Sequence, residues 1–116
     1  MNTDVITTKT LMWQTLLVGQ QIDQPAVTSL KLNFYQAQLA ASGNNLLGYR
    51  DWRISTLWEL VGNDYQIKQE YDAWIWSTTP LRNGNNNTVW TANYYIQHSA
   101  WLDKDCTCSV LLVRSM

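Results

Sequence analysis

Only one long stretch of this sequence repeats its apolar residues at spacings of three and four: Val27, Leu30, Phe34, Ala37 and Ala41. That spacing lays them on one helical face and predicts a helix over residues 26–41. Gly43 and the two asparagines after it predict a left-handed cap at its end. Elsewhere the apolar residues come in short runs bounded by turn formers. TLMWQTLLV at 10–18, YDAWIWSTT at 71–79, TVWTANYYI at 88–96 and CSVLLVR at 108–114 read as strands. In the second of these, alternation puts Trp74 and Trp76 on one face and Ala73 and Ile75 on the other. LLGYRDWRIS at 46–55 reads as extended, and PLRNGNNN at 80–87 as a loop tip. Thr56 and Glu59 form a T-x-x-E capping box that opens a short helix through Val61, with Leu57, Leu60 and Val61 inward and Gly62-Asn63 closing it. Strand, helix, short helix and then mainly strands predict an α+β fold with antiparallel sheets and two helices, in one domain over residues 1–116.

Charge excludes some functions. The net charge is −1 with both signs scattered, so no basic stripe exists and nucleic acid is not an expected partner. No run is long enough to span a membrane, so insertion is not expected. The N-terminus lacks the basic head and apolar run of a signal peptide, which leaves a cytoplasmic location open. Seven Trp and six Tyr stand against one Phe. Such residues combine apolar area with a hydrogen-bonding edge, which suits a contact surface as well as a core.

GYRDWRISTLWEL, residues 48–60, sets three charges around a tryptophan. In an extended segment Asp51 and Arg53 share a face and Trp52 fills the core opposite. Arg53 can fork onto a carboxylate or cap carbonyls at a helix end, and Asp51 can accept loop N–H groups. Asp51, Trp52, Arg53 and Glu59 are therefore expected to be structural; a catalytic Arg–Asp pair is the alternative.

Four segments together resemble a known family. KTLMWQ near the start, GYRDWRISTLWEL in the middle, WIWSTT after it and VLLVR at the end come in the order of the Lcl C-terminal domain family, named after a bacterial collagen-like adhesin. Its pattern runs G-L-M-W-Q, G-Y-x-D-W-R-L-P-x-x-x-E-L, W-S-S-T and V-R-C-V-R, and the resemblance covers the chain from about Lys9 to Arg114. The chain departs at Ile54-Ser55, where the family has Leu-Pro, and at Leu111 and Leu112, where it tends to Arg and Cys. The resemblance implies a C-type-lectin-like fold, an extracellular or cell-surface location and ligand binding, with sulfated polysaccharide known for the founding member. It also implies a homo-oligomer, a trimer in that member. Domains of this kind also serve as variable proteins of diversity-generating retroelements, and residues 93–109 have the matching Asn, Tyr, His, Ser, Asp and Cys content.

No catalytic set accompanies these motifs, so the chain is not expected to be an enzyme. His98 is the single histidine, Ser77 lacks the glycines of a nucleophile elbow, and Asp103 and Asp105 lack the spacing of a calcium loop. Cys106 and Cys108 are too close for an unstrained disulfide, so both are expected reduced and free of metal. That pair is the one feature that could host chemistry, and no base or third ligand accompanies it. No cofactor is expected. The last third, residues 82–109, mixes Asn, Tyr, His, Trp and Asp in the manner of a binding face. Candidate ligand contacts are Arg82, Asn85, Asn87, Asn93, Tyr95, His98 and Trp101, with Trp76, Trp90 and Tyr94 in the wider set. Within the strand, Trp90 and Tyr94 are expected inward and Asn93 and Tyr95 outward. The expected ligand is a glycan or a protein, held by stacking aromatics, hydrogen-bonding asparagines and Arg82. A mobile-element protein that inhibits a host protein is the alternative function.

Overall fold

The computed structural model describes residues 5–8, 10–21, 25, 28–62, 73–81, 86–94 and 96–116. Among the described residues, two antiparallel sheets and two α-helices make an α+β fold. The first sheet contains β1 (Val5–Thr7), β2 (Leu11–Gln14), β3 (Arg53–Ile54) and β7 (Leu112–Ser115), in the order β1-β2-β7-β3. The second contains β4 (Ile75–Pro80), β5 (Thr88–Asn93) and β6 (His98–Asp103), in that order. The helices are α1 (Phe34–Ser42) and α2 (Leu57–Val61).

The segment leading into β7 joins the two sheets. Ser109 donates its N–H to Trp74 O and accepts from the Trp76 N–H, while Cys108 and Leu32 exchange backbone bonds in both directions. Alternation then gives this segment two buried faces. Leu111 and Val113 pack with Trp13, Leu60, Ile75 and Ala92 in one cluster. Val110 and Leu112 pack with Phe34, Trp52, Trp76 and Val89 in the other. β4 and the two residues before it divide their side chains as alternation expects, with Ala73 and Ile75 in the first cluster and Trp74 and Trp76 against the second.

α1 begins at Phe34, well after the residue-26 start that apolar spacing predicts. Asn33 caps it: its side chain accepts from Gln36 N, and Gln36 returns a bond to Asn33 N. Residues before Asn33 are held by other segments, since Leu30 N–H bonds Val18 O and Leu32 pairs with Cys108. Leu30 is thus exposed, while Phe34, Ala37 and Ala41 are buried. Gly43 ends α1 at φ −89°, in the right-handed region, so the expected left-handed cap does not form. The chain turns instead at Leu47 and Gly48, with φ of 58° and 82°. Val61, expected inward, is exposed at the end of α2. β1 and β6 are strands that apolar patterning did not anticipate, and the expected strand over 10–18 is only the four residues of β2.

GYRDWRISTLWEL ties three elements together. Trp52 is buried against α1 and donates Nε1–H to Leu46 O at 3.1 Å. Arg53 forks onto Glu59, both bonds at 2.8 Å, joining β3 to α2. Glu59 also accepts from Thr56 N while Thr56 Oγ1 accepts from Glu59 N, so one carboxylate serves both the capping box and the ion pair. Asp51 receives a fork from Arg114 of β7 at 2.7 and 3.2 Å, and a backbone N–H bond to its carboxylate is a lesser contribution. The Arg114 guanidinium lies 3.7 Å from the centre of the Tyr49 ring.

The Arg53 guanidinium holds the Glu59 carboxyl below its ordinary range. A depressed carboxylate supplies stability above its unfolded pKa, about 4.3, and loses it as pH falls through the folded value. Glu59→Gln keeps a capping residue at this position but loses the charge of the partly exposed ion pair, so it should lower the melting temperature at neutral pH by the equivalent of about 0.5–1 kcal/mol. Melting curves at pH 7 and pH 3 check this: the gap between variant and wild type should shrink in acid, and a constant gap would remove the charge from the explanation.

Candidate functional site

The second sheet presents the best candidate surface. Its three strands carry two faces of different character. Val89, Thr91 and Asn93 of β5 turn toward the chain and are buried. On the other face α2 packs Leu60 with Ala92 and Tyr94, and the Tyr94 hydroxyl donates to Leu60 O at 2.7 Å. Beyond that cover, Trp90 stands directly opposite Trp101 of β6. Their rings meet edge to face, 5.8 Å apart at 74°. Trp90 is half-buried and Trp101 is 56% exposed. Alternation along β6 puts Ser99 and Asp103, both exposed, on the same face as Trp101.

The expected contact residues do not all converge there. Arg82, Asn85 and Tyr95 lie outside the described residues. Asn87 is exposed in the turn before β5, and its carbonyl accepts from Lys104 N. His98 is exposed but opposite Asn93, on the face away from Trp101. Asn93 itself is a correction: it is buried, and its Oδ1 accepts from Ile96 N at 3.3 Å to close the β5–β6 turn. A polar residue at a hairpin end serves the turn before it serves a ligand. Trp76 is a second correction, fully buried with its Nε1–H donated to Leu32 O at 2.7 Å. Trp90 is a third: it shares a face with Tyr94 as expected, but only the Tyr94 end is covered. Trp58 escaped notice, although it is 75% exposed. The spacing that turns Leu57 and Leu60 inward in α2 turns Trp58 out, so the signal was present.

Two further clusters bear on chemistry. Ser29 and Ser109 share a hydrogen bond at 2.8 Å, and Lys31 Nζ donates to Ser29 Oγ at 3.1 Å. Burial lowers the Lys31 pKa, but Ser109 is wholly enclosed, so the lysine completes a buried polar pair. A groove of about 440 Å³ lies between α1 and β3, lined by Ala41, Trp52, Arg53, Thr56 and Thr78 among others. Its one charged group, Arg53, is engaged by Glu59. No group of three or more metal-ligating side chains occurs among the described residues.

No protein-family model matches the chain, and no curated protein matches it.

Cys106 and Cys108 are free thiols in different surroundings, the first exposed and the second buried. Burial, aided by the neighbouring Cys106, pushes the Cys108 thiol up to about 12. At neutral pH it stays protonated and shielded, so native protein should react with a thiol reagent at Cys106 alone and at both cysteines after denaturation. Rapid native labelling of both would show that the 106–109 segment opens readily.

Proposed function

We propose that this chain is a non-enzymatic binding module of the C-type-lectin-like class, akin to the Lcl C-terminal domain, that holds a glycan or protein ligand on the open face of β5 and β6. The observation that carries this reading is the Trp90–Trp101 pair, two large rings set against each other at an exposed sheet surface where core packing gives no reason for the outer one. An exposed tryptophan braced by a second ring offers a rigid apolar platform at small entropic cost on binding. Ser99 and the Asp103 carboxylate flank it with hydrogen-bonding groups. The carboxylate on this face, in a chain of net charge −1, favours a neutral, hydroxyl-rich ligand over a sulfated one. Asn93 and Trp76 drop out of the contact set because both are enclosed.

The test is a panel of neutral and sulfated glycans, with Trp101→Ala beside the wild type. Wild type should retain neutral glycans, and the variant should lose at least tenfold in affinity, about 1.4 kcal/mol. Its melting temperature should move little, since an exposed side chain contributes little to folding. Unchanged binding in a folded variant would remove the Trp90–Trp101 face as the site, and preference for sulfated glycans would overturn the charge argument.

A further inference from the structure

The second sheet has two edges, and the described chain closes only one. On the β4 side, Trp74 and Trp76 exchange backbone bonds with Ser109, and Thr78 N–H reaches Ser55 O. β4 also carries a register irregularity and ends at Pro80. β6 has none of these devices. It pairs with β5 through all six of its residues without a bulge, and its sequence HSAWLD contains no Pro, Lys or Gly. An edge of that length and regularity is a template for another strand.

Three hydrogen bonds identify the groups that point outward. Ser77 Oγ donates to Trp90 O at 2.6 Å, and Leu81 N donates to Thr88 O at 3.2 Å, so both carbonyls face β4. Their opposite residues, Trp101 and Asp103, therefore stand at non-hydrogen-bonded pairs and direct their peptide groups away from β5. Thr91 Oγ1 donates to Ala100 O at 3.0 Å, which turns Ala100 toward β5. Alternation leaves the N–H and C=O of Ser99 and Trp101 and the N–H of Asp103 directed outward. The Asp103 carbonyl already accepts from Cys106 N.

We propose that a second copy of this chain occupies this edge, β6 against β6 and antiparallel, about a two-fold axis through Trp101. Such an axis runs perpendicular to the sheet and keeps the same face uppermost in both copies, so opposed residues must come from the same face. Of the registers this permits, the one centred on Trp101 alone engages all three outward residues. Trp101 then faces its own symmetry mate, and Ser99 faces Asp103 of the second copy, hydroxyl to carboxylate. Centring on Asp103 would oppose two carboxylates, and centring on Ser99 would leave Asp103 unpaired. The pairing doubles the three-stranded sheet and covers the edge beside Trp101, the most exposed side chain of β6 named among the large apolar residues. The pairing is made by backbone groups of the strand edge and needs no ligand, so it is tested apart from the ligand reading, although it sets the two Trp101 rings side by side on that face.

The experiment uses the full chain without ligand. Sedimentation from micromolar to millimolar concentration should show a species of twice the 13.4 kDa chain mass at the upper end. Hydrogen exchange on the same samples should show the amides of Ser99, Trp101 and Asp103 gaining protection as the dimer forms. Those of His98, Ala100 and Leu102, bonded to β5, should be protected throughout. Trp101→Pro removes the central outward N–H and no bond to β5, so it should be monomeric while the amides of His98, Ala100 and Leu102 stay protected. A monomer at every concentration overturns the proposal and leaves the edge to an extended segment of a different protein. A dimer in which the three amides exchange freely overturns it as well, because the contact then lies elsewhere.

Discussion

The fold depends on the pairing of residues 108–113 with almost everything else. Cys108 bonds Leu32, Ser109 bonds Trp74 and Trp76, Val110 accepts from Val18, and Leu112 and Val113 lie between β2 and β3. Every residue in this run is buried. A segment with both edges paired and both faces covered can hold only small and branched apolar residues, which is what Val110, Leu111, Leu112 and Val113 supply. Each hydrophobic cluster takes alternate side chains from it, so neither cluster is complete without it. Arg114, next in line, adds the fork onto Asp51 and fixes the loop before β3.

This arrangement gives GYRDWRISTLWEL its physical sense. Trp52 belongs to a cluster that the 108–113 segment completes, and the charges on either side of it fasten neighbouring elements at the surface. Arg53 reaches forward in sequence to Glu59, and Asp51 receives a residue far away, Arg114. Local spacing made the structural role of Arg53 and Glu59 legible, because the capping box already placed the carboxylate. The Arg114 partner of Asp51 was not legible, since it follows only from the β3–β7 pairing.

The rest of the fold divides along the same line. Side-chain alternation in β4 and the Thr56 cap were readable because they depend on neighbours in sequence. The start of α1 was misjudged because apolar spacing continues through Leu30, whereas the backbone there is claimed by Val18 and Cys108. β6 was overlooked because a strand exposed along most of its length has no apolar pattern to display. In the candidate site, residue type alone could not separate Asn93, which closes a turn, from Ser99, which faces solvent. It also credited Trp76 and Trp101 alike, though one lies in the core and the other at a sheet edge.

The position of residues 108–113 also governs how the chain can fold in time. Each of their partners, Val18, Leu32, Ile54 and Trp76 among them, precedes them in sequence, most by a wide interval. Loop-closure entropy must be met before those pairings return free energy, a topology that slows folding. During synthesis, Trp13, Trp52 and Trp76 all emerge before the strand that encloses them. The nascent chain therefore carries these adhesive side chains uncovered until residues 108–113 arrive.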